Sequence, residues 1–150
     1  MMDSLKNKTA FITGAAGGIG LGMARTFAKA GMNVVISDIQ KEQLDVAKAE
    51  LKDINDNVLA LTVDSTSPDS LKEAAKRIEH AFGALHVLCN NAGIGGGGKI
   101  LDTEHAKWRN VMDVNFSGPL NGINQFLPGM LEHGEAAHIC LLYTSDAADE

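Results

Sequence analysis

The sequence predicts an α/β protein, a doubly wound parallel sheet with helices on both faces. Three observations carry that prediction. Short apolar, β-branched runs alternate with amphipathic helical stretches along the chain, the pattern of repeated strand–helix–strand units. The first strand and the first helix are joined by a glycine-rich turn, Thr13-Gly14-Ala15-Ala16-Gly17-Gly18-Ile19-Gly20. The second strand closes on an acid, Asp38, about 20 residues beyond that turn.

Lys8 to Thr13 reads as a buried strand, and Ile19 to Ala28 carries apolar residues at helical spacing. Glycines between them let the backbone bend tightly, approach a phosphate without Cβ atoms and pack the helix close to the strand. Free N–H groups at the helix start then face the anion. A turn that merely joins strand to helix looks the same in isolation. Gly31 stands where a C-terminal cap belongs, and Met32 to Asp38 is the second strand. Asp38 is placed either to accept both hydroxyls of a ribose or to cap the next helix. A 2′-phosphate beside it meets like charge, worth up to roughly 4 kcal/mol per unit pair at an effective dielectric near 20. Gly17, Ile39 and Gln40 supply no offsetting cation, so NAD is favoured over NADP.

Lys41 to Asp53 places Leu44, Ala47 and Leu51 on one face of a helix. Asn57 to Asp64 is the third strand, with Asp64 set either near an adenine ring or as a plain turn acid. Ser67 and Pro68 open a helix striped by Leu71, Ala74, Ala75, Ile78 and Phe82, and Gly83 ends it. Leu85 to Asn90 is the fourth strand. Asn90-Asn91-Ala92-Gly93 lies at its carboxyl end, the edge where open parallel sheets bind ligands. Gly95 to Gly98 form a loop that reads as a substrate entrance or a linker. Thr103 to Gly118 is helical, and Asn115 inside it is unfavourable enough to call for an explanation. A further helical segment through Ile123, Phe126, Leu127, Met130 and Leu131 is kinked by Pro128, and Ala136 to Ile139 opens a fifth strand.

Composition sets the bounds. With 150 residues, 45% of them hydrophobic, the chain is of single-domain length and can bury a core of ordinary size. A net charge of −6 argues against nucleic acid or an anionic membrane as partner. No apolar run is long enough to span a bilayer, and the first residues lack a signal core, so a cytoplasmic location is the default. Cys89 and Cys140 form no disulfide framework or zinc spacing, and Cys89 reads as a small core residue. The five histidines, at 80, 86, 105, 133 and 138, show no mutual spacing for a metal and read as surface or strand residues.

Taken together, these residues resemble the short-chain dehydrogenase/reductase family. The signature T-G-x-x-x-G-x-G matches Thr13 to Gly20, N-N-A-G matches Asn90 to Gly93, and V-N-x-x-G matches Val114 to Gly118, with acids at Asp38 and Asp64. The resemblance runs from about Leu5 to Ile139. It implies a Rossmann-type sheet of about five strands in the order 3-2-1-4-5, incomplete, and an NAD(P)-dependent transfer of hydride between nicotinamide and an alcohol or ketone. It assigns the cofactor to Thr13, Gly14, Ala16, Gly17, Gly18, Ile19, Gly20, Asp38, Asp64, Asn90, Asn91, Ala92 and Gly93, and a catalytic role to Asn115. A homo-oligomer is expected for the parent protein, with the helices around Trp108 to Met130 against a neighbouring subunit.

The family's catalytic Ser, Tyr and Lys do not appear in their pattern. Tyr143 is the sole tyrosine, Ala147 stands four residues on in place of lysine, and Ser145 does not sit as the family's serine does. Cys140 to Glu150 agree at all eleven positions with the in-frame translation of a transposon-end sequencing adapter. The expectation is therefore a truncated dinucleotide-binding domain over 1–139 and a non-native tail over 140–150. Removing the tail's three acids changes the charge to −6 + 3 = −3, still mildly acidic. Such a chain is expected to be inactive; the alternative is a non-catalytic NAD-binding sensor or scaffold.

Overall fold

Five parallel strands make one sheet in the order β3-β2-β1-β4-β5 in the computed structural model, which describes residues 4–96 and 98–142. The strands are β1 (Thr9–Thr13), β2 (Asn33–Asp38), β3 (Val58–Thr62), β4 (Val87–Asn90) and β5 (His138–Leu141). The helices are α1 (Gly18–Lys29), α2 (Lys41–Lys52), α3 (Pro68–Phe82), α4 (His105–Met112) and α5 (Gly118–Glu132). β1 lies at the centre, paired with β2 from Thr9↔Asn33 to Thr13↔Ser37 and with β4 from Ala10↔Val87 to Ile12↔Cys89. The strand order and the parallel pairing are as the sequence predicts. β3 and β4 are shorter than predicted at their ends, and β5 runs on through Cys140 and Leu141.

Alternation along the strands divides the core into two layers. Ala10, Ile12, Val34 and Ile36 pack with Leu21, Ala24 and Ala28 of α1 and Leu44, Ala47 and Leu51 of α2. Phe11, Val35 and Leu61 face the other way, onto Leu71, Ala74 and Ile78 of α3 and Phe126 and Met130 of α5. Each fully buried Val, Leu, Ile, Phe or Met among them contributes about 1.5–3 kcal/mol relative to leaving it exposed. The Phe11 and Phe126 rings meet at 5.1 Å, tying α5 to the central strand. Cys89 lies in the first layer, and burial pushes its thiol up to about 12.

Local chemistry sets the helix ends. Gly31, at φ +77°, closes α1; its N–H donates to Ala28 O and the Met32 N–H to Phe27 O, the paired bonds of a Schellman cap. Ser67 caps α3 by accepting from the Ser70 N–H, with Pro68 at the first helical position. α2 runs where the sequence places it, but of the two roles open to Asp38 the helix cap is not the one seen. Its cap position is Gln40, without a side-chain cap, and Asp38 instead accepts from the Gln40 N–H at 3.1 Å.

The helical stretch after β4 also departs from the sequence reading. A 3₁₀ turn at Ile100–Asp102 precedes α4, and a π turn at Asp113–Ser117 leads into α5. Pro128 lies inside α5, which continues to Glu132. α4 buries none of its residues, and Trp108, Met112, Phe116 and Leu120 form an exposed apolar stripe at four-residue spacing. Among the described residues, no helix is long and apolar enough to cross a membrane.

At the amino end of the sheet, His86 is buried between β1 and Glu135. Its Nδ1 accepts from the Thr9 N–H at 3.1 Å, so its proton sits on Nε2, which donates to Glu135 Oε2 at 3.2 Å. Glu135 also pairs with Lys8. His133 repeats the arrangement: Nδ1 accepts from the Glu135 N–H and Nε2 donates to Leu85 O at 2.9 Å, with the two rings 5.2 Å apart.

Candidate functional site

The carboxyl end of the sheet holds a cleft of about 410 Å³, bounded by the turn after β1, the ends of β2 and β3, the turn after β4 and the π turn. The turn after β1 is held from three sides. Thr13 Oγ1 accepts from the Asn91 and Ala92 N–H groups at 3.1 and 3.0 Å. The Asn91 amide donates to Thr13 O at 2.8 Å and to Gly14 O at 2.9 Å. Asp38 Oδ2 accepts from the Ala16 N–H at 3.3 Å.

Glycine is required where this packing is closest. At Gly14, with φ +63°, a Cβ meets Ala92 Cα at 2.7 Å; at Gly20 it meets Asn91 Nδ2 and Gly14 O at 2.6 Å. At Gly17 and Gly18 nothing lies within 4 Å, so the turn is braced from below and open above. α1 begins there with no side-chain cap and no acid in its first turn. Its first N–H groups, on Gly18, Ile19 and Gly20, have no partner within the helix. A helix start of this kind is suited to an anion, and the residues present fit a pyrophosphate.

Asp38 and Asp64 stand at the ends of neighbouring strands on the same cleft. Asp38 is half-buried, and its two carboxylate oxygens, each holding one backbone N–H, retain lone pairs for further donors. Asp64 Oδ1 accepts from the N–H and the hydroxyl of Thr66, at 2.9 and 2.7 Å.

Of the residues expected to hold a cofactor, Thr13, Gly14, Gly17, Gly18, Ile19, Asp38, Asp64, Asn91, Ala92 and Gly93 line this cleft together. Ala16 and Gly20 act through the backbone of the turn and lie outside the lining. Asn90 is not in the cleft. It points to the opposite face of β4, buried against α5, where a Cβ on Gly122 meets its Oδ1 at 2.5 Å. Asn90 Nδ2 has no partner among the described residues.

Asn115 sits in the π turn, and both polar atoms of its amide bond to one residue: Oδ1 accepts from the Ile94 N–H at 2.8 Å and Nδ2 donates to Ile94 O at 2.9 Å. That pair of bonds explains the asparagine inside a helix. It also fixes the loop after Gly93, where a Cβ meets Asn115 Oδ1 at 3.4 Å. Ile39, Gln40, Val63, Ser65, Ile94, Val114 and Leu142 complete the lining and were not singled out for it from sequence. Their signal is adjacency: Ser65 follows Asp64, Ile94 follows Gly93, and Val114 precedes Asn115. Tyr143 and Ser145 lie outside the described residues.

A family model for short chain dehydrogenases matches residues 8–147. The chain belongs to the short-chain dehydrogenase family. The match continues past Ile139, where the resemblance read from sequence ended. A C alpha-dehydrogenase from Sphingobium sp. is 33% identical over 92% of this chain and 46% of that protein. A cyclohexanol dehydrogenase from Acinetobacter sp. is 34% identical over 91% of this chain and 55% of its own length. The chain thus spans about half the length of these short-chain dehydrogenases. Among solved structures, a short chain dehydrogenase/reductase from Burkholderia phymatum in complex with NAD superposes with a TM-score of 0.89 at 34% identity, covering 92% of this chain and 49% of that one.

Proposed function

We propose that this chain carries the NAD site of an oxidoreductase acting on an alcohol or ketone. One observation carries the reading: an uncapped helix start, Asp38 and Asp64 converge on a single cleft at the carboxyl end of a parallel sheet. The pyrophosphate would lie on the N–H groups of Gly18 and Ile19, with the adenosine ribose on Asp38 and the base toward Asp64. Asp38, without a neighbouring cation in the lining, favours NAD over NADP. Bound nicotinamide supplies or accepts the hydride. Asn115 holds the Ile94 wall of the nicotinamide end through its backbone bonds. Titration with NADH, followed by its fluorescence, tests the reading. Saturable binding that weakens at least tenfold for NADPH supports it, and no binding of either refutes it.

No Tyr-x-x-x-Lys is present in the sequence, so this chain is proposed to bind cofactor weakly at best and without turnover. The same observation favours the alternative of an NAD sensor or scaffold. NAD-coupled assays on a panel of alcohols, alongside tight binding by a stable monodisperse chain, separate the two. Residues 1–139 are assigned to the dinucleotide domain and 140–150 to a translated adapter, which the codons of the coding DNA test directly. The exposed stripe from Trp108 to Leu120 supports a homo-oligomer of the parent protein, and the location proposed for it is cytoplasmic.

A further inference from the structure

We infer that Asn121 is a positioning residue for the base end of the cleft, holding the wall that carries Asp64. The inference rests on the cofactor reading above. Asn121 lies in α5, and its Nδ2 donates to two successive carbonyls, Ser65 O and Thr66 O, both at 3.2 Å. Ser65 lines the cleft beside Asp64, and Thr66 holds the Asp64 carboxylate through its N–H and hydroxyl. One turn earlier in the helix, Gly118 allows the close approach: a Cβ there meets Ser65 Oγ at 2.9 Å.

The same helical rod therefore grips two walls. Asn115, in the π turn, spends both amide groups on the Ile94 backbone, and Asn121, six residues on, spends its amide hydrogens on the Ser65 and Thr66 carbonyls. The glycine turn depends on neither; it is braced by Thr13, Asn91 and Asp38. The consequence is a division of labour. Loss of the Asn121 amide frees the Asp64 wall and leaves the anion cradle as it was.

Two probes separate those parts: AMP, which carries the base, and inorganic pyrophosphate, which does not. Asn121→Leu keeps the size and removes the donors, so AMP affinity is expected to fall at least fivefold while pyrophosphate stays within twofold. Asn121→His, which returns an N–H donor at similar reach, is expected to restore AMP binding to within twofold. Equal weakening of both probes, or no change in either, overturns the inference while leaving the cofactor reading intact. If the unaltered chain binds neither probe, the cofactor reading falls and this inference with it. Should Asn121→Leu fail to fold, the unaltered chain still decides. The Asn121 side-chain amide signals are expected to shift with AMP and not with pyrophosphate, and signals that ignore AMP overturn the assignment.

Discussion

The two ends of the sheet solve the same problem in opposite ways. Both must satisfy backbone groups left over where the strands stop. At the amino end, His86, His133, Glu135 and Lys8 bond to the backbone and to one another until Nδ1 and Nε2 of both rings are in use. At the carboxyl end, Thr13, Asn91, Asp38 and Asn115 also bond to backbone, but the cradle at Gly17 and Gly18 is left open. A closed network serves stability; a braced opening leaves room for a ligand. The polar side chains around this cleft therefore hold its walls.

The largest effect is expected from closing the carboxyl end. Gly14→Val places a branched Cβ within 2.7 Å of Ala92 Cα on a backbone at φ +63°. Overpacking costs about 1–3 kcal/mol and the left-handed backbone about 1–2 more, so denaturation should show a loss of several kcal/mol together with NAD binding. The next variant opens the amino end. His86→Leu leaves the N–H of fully buried Thr9 without its acceptor, an expected loss of about 1–3 kcal/mol in chemical denaturation with NAD affinity within twofold. A comparable loss of NAD affinity there would show that the two ends are not independent.

Acid should act on the amino end in the same direction. Burial holds the His86 imidazole below its ordinary 6.5, against the pull of Glu135 and assisted by Lys8 and His133. The unfolded chain therefore binds a proton that the folded chain refuses. Stability from this group is complete above about pH 6.5 and is lost as the pH falls from there through the folded pKa. Glu135, held below its usual 4.5 by Lys8 and then His86, stays charged in the upper part of that window. A denaturation midpoint that drops between about pH 7.5 and 5.5, with a flatter slope in His86→Leu, is the expected result. The smallest effect belongs to the middle of the sheet. Cys89, with its thiol near 12, should resist alkylation at about pH 8 until the chain unfolds, as mass spectrometry of labelled peptides would record.

Much of this architecture is local in origin and therefore legible. The β-branched run before Asp38, the glycine at 31 and the Ser67-Pro68 start each follow from chemistry within a few residues, and each appears in the structure as expected. The convergence of the glycine turn with Asp38 and Asp64 was legible too, because parallel strands present their carboxyl ends on one edge. Asn90 and Asn91 mark the border. A strand's period of two sends neighbours to opposite faces, so only Asn91 reaches the glycine turn. What could not be read depends on distant partners. Asn121 meets carbonyls more than fifty residues away in sequence, at Ser65 and Thr66, and His86 finds Glu135 across a similar gap. The π turn belongs with these. Nothing in Asp113-Val114-Asn115-Phe116-Ser117 alone dictates it, and the bonds from Asn115 to Ile94 hold it in place.

That turn also bears on how the chain tolerates changes in length. A π turn stores one extra residue within a helix, so the α-helical segments on either side keep the phase their surroundings demand. Removing one residue from Asp113–Ser117 would convert the stretch to plain α-helix and leave Phe126 and Met130 facing the core. The grip on Ile94 would go with it. A single codon thus separates a helix that only supports the sheet from one that also shapes the cleft.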